Sequence, residues 1–244
     1  LDLALMSFYI AEHKDVATPF MANLDGFTLT HTYEVVDVPE AEQADEFLPP
    51  YETDNKISFE DPKNLGFSAG PDTNTEFKYK EHLGILNARK VIKECEDKFF
   101  KIFNRKYSGL IETYKTEDAD FVIVTLGTIA GLVKEVVDDL RDKGQKVGLL
   151  RIRYLRPFPN EEIVEALKNV KAIGVLEKDI SFGNEGTVYT NVNSALHKAK
   201  LDVVSSNYIA GLGGRNIEKH QIEDIFTRLQ SLNQEIVFVG LKEE

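Results

Sequence analysis

Hydrophobic and polar positions divide the chain into two regimes. From Asp120 onward, short apolar runs alternate with amphipathic segments. The runs are FVIVTL at Phe121 to Leu126, VGLLRI at Val147 to Ile152, AIGVL at Ala172 to Leu176 and DVVSSNYI at Asp202 to Ile209. Between and after them, Ile129 to Lys143, Asn160 to Lys168, Gly186 to Lys198 and Ile217 to Gln230 keep helical spacing, so each strand and its helix form one βα unit. Such repetition predicts a mainly parallel sheet with right-handed crossovers and helices on both faces. Leu110 to Lys115 predicts one further strand, antiparallel at an edge, and Ile236 to Leu241 a short final strand.

Before Asp120 the pattern is different. Leu1, Ala4, Leu5, Phe8 and Ala11 recur at helical spacing with no capping residue ahead, and Phe20 to Leu24 predicts a strand. The two look like the last helix and strand of a larger α/β domain, which leads one to expect sequence upstream. From Glu34 to Thr75 periodicity fails. Five of the eight prolines lie there, and the only basic residues are Lys56 and Lys63, so this stretch reads as a connector. Phe47, Leu48, Tyr51, Ile57, Phe59, Leu65 and Phe67 give it anchors for neighbouring surfaces. A long helix follows, about Glu76 to Arg105, whose stripe of Ile85, Ala88, Ile92, Cys95, Phe99 and Ile102 faces a core. At about 1.5 Å per residue it would run roughly 40 Å.

Composition narrows the function. With 41 acidic against 29 basic residues the formal charge is -12, opposite in sign to what binding a phosphate backbone requires. Nucleic acid is therefore not expected as a partner. No apolar run approaches a membrane span and no signal peptide opens the chain, so a cytoplasmic location is expected. The lone Cys95 cannot form an internal disulfide, complete a zinc site or hold an iron–sulfur cluster, and reads as a small buried hydrophobe. The five histidines have no metal-binding spacing, and the common nucleophile, phosphate-loop and kinase motifs are absent.

In a parallel sheet the strand-to-helix loops emerge at one edge, where ligands or partners bind. Here they are Gly127 and Thr128, RYLRPFP at Arg153 to Pro159, EKDISFGNEG at Glu177 to Gly186, and GLGGRN at Gly211 to Asn216. Thr128 as an N-cap would leave helix N–H groups for an anion, or the turn is an ordinary βα connection. Arg151, Arg153 and Arg156 could clamp a phosphate or carboxylate, or serve as structural ion-pair partners while Pro157 and Pro159 fix the next helix. GLGGRN is not a dinucleotide loop, because Asn216 stands where a glycine is needed and the segment follows the last main strand. The candidates for an interface or anion-binding edge are thus Thr128, Arg153, Arg156, Ser181, Gly183 and Arg215.

Two segments taken together resemble a known family. NLDGFTLTH at Asn23 to His31 resembles the DGF segment of alpha subunits of pyruvate:ferredoxin oxidoreductases, and KVGLLRIRYLRPFP at Lys146 to Pro159 resembles a stretch in the domain that follows it. GLGGR at Gly211 to Arg215 fits the same family's later loop, and the order of these features matches from end to end. There are two departures. The family's His-Glu pair after DGF reads His31-Thr32-Tyr33-Glu34 here, and an Asp-Arg pair reads Glu177-Lys178.

The resemblance implies the carboxy-terminal portion of such an alpha subunit. Residues 1–35 would be the end of a thiamine pyrimidine-binding-type domain, 36–106 a connector with a long helix, and 107–244 a transketolase C-terminal-like three-layer α/β domain. It further implies a complex with beta, gamma and delta subunits, or equivalent domains, in which a 2-oxoacid such as pyruvate is oxidatively decarboxylated. Coenzyme A takes the acyl group, and electrons pass through iron–sulfur clusters on partner subunits to ferredoxin. Thiamine diphosphate and magnesium belong to the complete complex, and this chain alone is expected to bind neither and to be inactive. Asp25, Thr28 and His31 become candidates for the substrate side, or form a hydrogen-bonded turn. The alternatives are the C-terminal part of a transketolase or of a 2-oxoacid dehydrogenase beta subunit, or a non-catalytic assembly module. Copurification with an iron–sulfur subunit would distinguish the last.

Overall fold

The computed structural model describes residues 1–26, 28–66 and 68–242; of Thr28 it describes the backbone alone. Phe27 of the DGF segment, the connector anchor Phe67 and the terminal Glu243 and Glu244 lie outside the described residues. The chain divides into two compact units, Leu1–Gly109 and Leu110–Glu244.

In the first unit, α1 (Asp2–Glu12) packs on α4 (Pro71–Phe103). The buried side chains of α1 are Met6 and Ile10, whereas Leu1 and Phe8 of the expected stripe are more than half exposed. This helix is apolar nearly all round, so periodicity could not select its face. Contact with α4 does so, and the Cys95 thiol lies 3.8 Å from the Met6 carbonyl oxygen. The close approach of the segment that follows α1 to α4 depends on Gly84, where a Cβ would stand 2.4 Å from the Val16 carbonyl oxygen.

Phe20 to Leu24, expected as a strand, is irregular. Among the described residues this unit holds no strand at all, so nothing offers the segment a ladder to join. The connector is more structured than its lost periodicity suggests. After the four-residue α2 (Thr28–His31) it forms α3 (Ala41–Phe47), opened by a capping box between Glu40 and Gln43. Of the expected anchors Phe47 is buried, while Tyr51, Ile57, Phe59 and Leu65 are exposed.

Phe47 packs on Tyr9, Phe99 and Phe103, with ring centroids 5.4, 5.2 and 5.8 Å away. Helix α4 begins earlier than expected, with Gly70 as N-cap and Pro71 in the first turn, where a missing N–H costs nothing. It ends on Asn104 in the left-handed conformation. Its buried stripe includes Ala88, Ile92, Cys95 and Phe99, as the spacing predicts, joined by Gly84 and Val91.

The second unit is a six-stranded sheet of order β1-β3-β2-β4-β5-β6: β1 (Ile111–Tyr114), β2 (Phe121–Leu126), β3 (Val147–Ile152), β4 (Ala172–Glu177), β5 (Val204–Ile209) and β6 (Ile236–Phe238). All pairs are parallel except β1 with β3, so the antiparallel edge strand is where the sequence placed it. Helices α5 (Ile129–Asp142) and α8 (Lys219–Leu229) cover one face, α6 (Asn160–Leu167) and α7 (Thr187–Lys198) the other.

One connection departs from expectation. The β2-α5-β3 link and the β5-α8-β6 link use the same face but step toward opposite edges, so they have opposite hands. With the first right-handed, as the rule for such units has it, the last is left-handed. The reason is cover: α8 lies back over β2 and β4, where Tyr208, Leu176 and Ala172 would otherwise be bare. Tyr208 fills the space above Gly174, where a Cβ would come within 2.9 Å of its ring.

Candidate functional site

The C-terminal ends of β2 to β5 place four loops along one edge of the second unit, as the parallel pairing requires. Beneath the middle of that edge lies a polar network in an otherwise apolar core. Glu177, the last residue of β4, is only 4% exposed. Its carboxylate accepts hydrogen bonds from the backbone N–H groups of Val188 (2.8 Å) and Tyr189 (3.0 Å), and from the Asn207 amide (2.9 Å). Asn207, on β5, in turn accepts from the Gly186 N–H at 2.7 Å.

Helix α7 therefore starts without a side-chain cap of its own, since its N-cap is Gly186, and takes its capping anion from a neighbouring strand. Gly186 is obligatory for space: a Cβ there would lie 2.0 Å from a Glu177 oxygen. Burial raises the Glu177 carboxyl above its ordinary pKa, against the lowering effect of the three donors. The sequence marked Glu177 only as the start of a candidate loop and as a departure from a family pair, and did not single out Asn207. The available signal was an asparagine inside a strand that is buried along nearly all its length, a position that demands partners.

The network stitches both ends of the loop between Glu177 and Gly186 together. Inside the loop, Ser181 donates its N–H to the Glu185 carbonyl oxygen and accepts one from Asn184, and Gly183 takes φ +83. Between them Phe182 stands 94% exposed. Lys178 runs along Gly211 of the next loop, at 3.3 Å from where its Cβ would be.

The cationic residues are partly committed. Arg151 lies within β3 and pairs with Glu112 at 3.4 Å, and Lys134 of α5 meets the same carboxylate, so Arg151 is structural. Arg153 stacks over Tyr154 and Arg156 over Phe158, at 5.5 and 5.9 Å. Arg156 also donates to the Leu155 carbonyl oxygen and Arg215 to that of Gly240, each at 2.6 Å. Thr128 precedes α5 but makes no side-chain capping bond to it.

Asp25, Thr28 and His31 belong to the other unit. Asp25 is half-buried, and the exposed His31 closes α2 with its Nδ1 3.0 Å from the Thr30 hydroxyl. Cys95 is wholly buried and its thiol is pushed up to about 12 by burial, which keeps it protonated and inert at neutral pH. Among the described residues no group of three or more His, Cys, Asp and Glu side chains could hold a metal ion, and no helix is long and apolar enough to cross a membrane.

Two family models match the chain. Residues 1–97 match "Pyruvate flavodoxin/ferredoxin oxidoreductase, thiamine diP-bdg", and residues 119–222 match "Pyruvate:ferredoxin oxidoreductase core domain II". The pyruvate synthase subunit PorA of Methanothermobacter thermautotrophicus is 39% identical over 244 residues, covering 100% of this chain and 62% of that relative. The ketoisovalerate oxidoreductase subunit VorA of Pyrococcus horikoshii is 40% identical over 248 residues, covering 99% of this chain and 62% of the relative. The chain thus spans less than two thirds of the length of these curated relatives. Among solved structures, a 2-oxoglutarate:ferredoxin oxidoreductase from Magnetococcus marinus aligns with a TM-score of 0.40 and 18% identity, over 68% of this chain and 24% of that one.

Proposed function

Because the chain belongs to the pyruvate:ferredoxin oxidoreductase family, we propose that it is the carboxy-terminal part of the alpha subunit of a thiamine-dependent 2-oxoacid:ferredoxin oxidoreductase. The reaction is oxidative decarboxylation of pyruvate or a branched 2-oxoacid to an acyl-CoA and CO2, with electrons delivered to ferredoxin. One observation carries this reading: identity near 40% to subunits of such enzymes runs along the whole chain, with both family models in order. Transketolase and dehydrogenase beta subunits are set aside by the same matches.

Thiamine diphosphate supplies the carbanion chemistry in such an enzyme. Residues 1–97 match the family model described as thiamine diphosphate-binding, whereas in the second unit the N-terminus of α7 already holds the Glu177 carboxylate. In this reading the cofactor and its magnesium are held by the complete protein, iron–sulfur clusters by partner beta, gamma or delta subunits, and the enzyme is cytoplasmic. The second unit is the transketolase C-terminal-like domain, and its edge at Thr128, Arg153, Arg156, Ser181, Gly183 and Arg215 meets another domain or subunit. Asp25, Thr28 and His31 lie toward the substrate.

The test is an assay of the assembled complex with pyruvate or 2-oxoisovalerate, coenzyme A, thiamine diphosphate, magnesium and a low-potential electron acceptor. Coenzyme A-dependent CO2 release is expected, with kcat or KM for the 2-oxoacid changed in His31→Ala. Absence of turnover with every 2-oxoacid would overturn the function. Unchanged constants in His31→Ala would remove that residue from the substrate side.

A further inference from the structure

The first unit carries its charge in one place. Of the 20 acidic and 12 basic residues in Leu1–Gly109, ten acidic and one basic lie between Glu34 and Pro62, which leaves the remainder close to neutral. The same stretch, with Tyr33 just ahead of it, exposes apolar side chains in two wings. Tyr33, Val35 and Val38 lie before α3; Tyr51, Ile57 and Phe59 lie after it, and Phe59 is 102% exposed. An unfolded acidic tail would lack such side chains, and a self-contained connector would bury them.

The wings are held in place. Arg105 grips Asp37 at 2.6 Å. Phe47 is buried between the wings, and Lys98 donates to its carbonyl oxygen at 2.8 Å. The second wing is closed into a loop by Lys63, which donates to the Asp54 carbonyl oxygen at 2.9 Å, with Ser58 accepting from the Glu60 N–H at 3.1 Å inside it. Ile57 and Phe59 sit in this loop. Presenting apolar side chains on a pinned backbone lowers the ordering cost of binding.

We propose that residues 33–62 form a two-winged docking arm for a protein surface that is positively charged and carries apolar pockets. Sign decides the class of partner. A stretch of net negative charge is repelled by nucleic acid and by anionic lipid, while its apolar side chains need pockets that small cations do not have. A second copy of this acidic chain would bring like charges together. The inference does not rest on the reaction assigned above, and its failure would leave that assignment untouched.

A benzophenone photo-crosslinker replacing Phe59, and separately Val35, in the assembled complex tests it. Both positions are expected to label one other polypeptide, in stretches where lysine and arginine outnumber aspartate and glutamate. Amide exchange of residues 33–38 and 51–60 should slow in the complex relative to the free chain. Ile57→Ser with Phe59→Ser should weaken the affinity for the labelled polypeptide by about tenfold or more. Rising salt should weaken the wild-type interaction. Labelling confined to this chain, to a second copy of it or to an acidic surface overturns the proposal, as does unchanged exchange or unchanged affinity in the double variant.

Discussion

Glu177 is a carboxylate placed where a helix start would otherwise receive an external anion. Raising its pKa means that the folded chain retains a proton the unfolded chain has released. Stability is therefore greatest below the ordinary glutamic acid range and falls as pH rises from there through the raised value. Above that window the ionised carboxylate remains, held by three donors. Glu177→Gln should abolish this slope in urea melts taken from about pH 4 to 7, and at neutral pH should cost about 1–3 kcal/mol, because one helix N–H loses its acceptor. Gly186→Ala should act in the same direction at neutral pH. Its backbone is ordinary, φ -67, so the cost comes from the collision with Glu177. An unchanged midpoint and slope in both variants would remove the network from the account of α7. Such a site is hard to read from sequence, because Glu177 and Asn207 are 30 residues apart and become partners only once β4 and β5 pair.

Elements of the second unit were legible almost to the residue, from FVIVTL as β2 to the helix at Ile129, because strand and helix periods alternate and β2 to β5 are buried along most of their length. In the first unit tertiary contacts outweighed local pattern. The face of α1 is chosen by α4, and α3 had no apolar repeat to announce it, only one buried side chain. That side chain makes α3 an anchored element rather than part of a free connector. Phe47→Ala removes a wholly buried ring from a cluster of Tyr9, Phe99 and Phe103 and should destabilise the unit by about 3–5 kcal/mol. Amide exchange of α3 and the C-terminal half of α4 reads this directly. Protection equal to that of the wild type would show that α3 is held by something other than Phe47.

At the scale of the molecule, the second unit has a complete three-layer core of its own, with buried clusters on both faces of the sheet. The polypeptide expressed by itself should therefore fold cooperatively through Leu110 to Val239, giving one urea transition for this unit, and yet oxidise no 2-oxoacid when thiamine diphosphate, magnesium, coenzyme A and an acceptor are supplied. Turnover by the chain alone would contradict the proposal that it is a supporting part.

The two edges of that unit's sheet also limit how it meets others. One edge is the four-residue β1, running against its neighbour, and the other is the three-residue β6. Neither presents a long row of free N–H and C=O groups, the template on which another chain adds a strand. Association with further polypeptides is thereby steered away from main-chain zippering, which is tolerant of sequence. It falls to side chains on loops and helix surfaces, where partners are told apart.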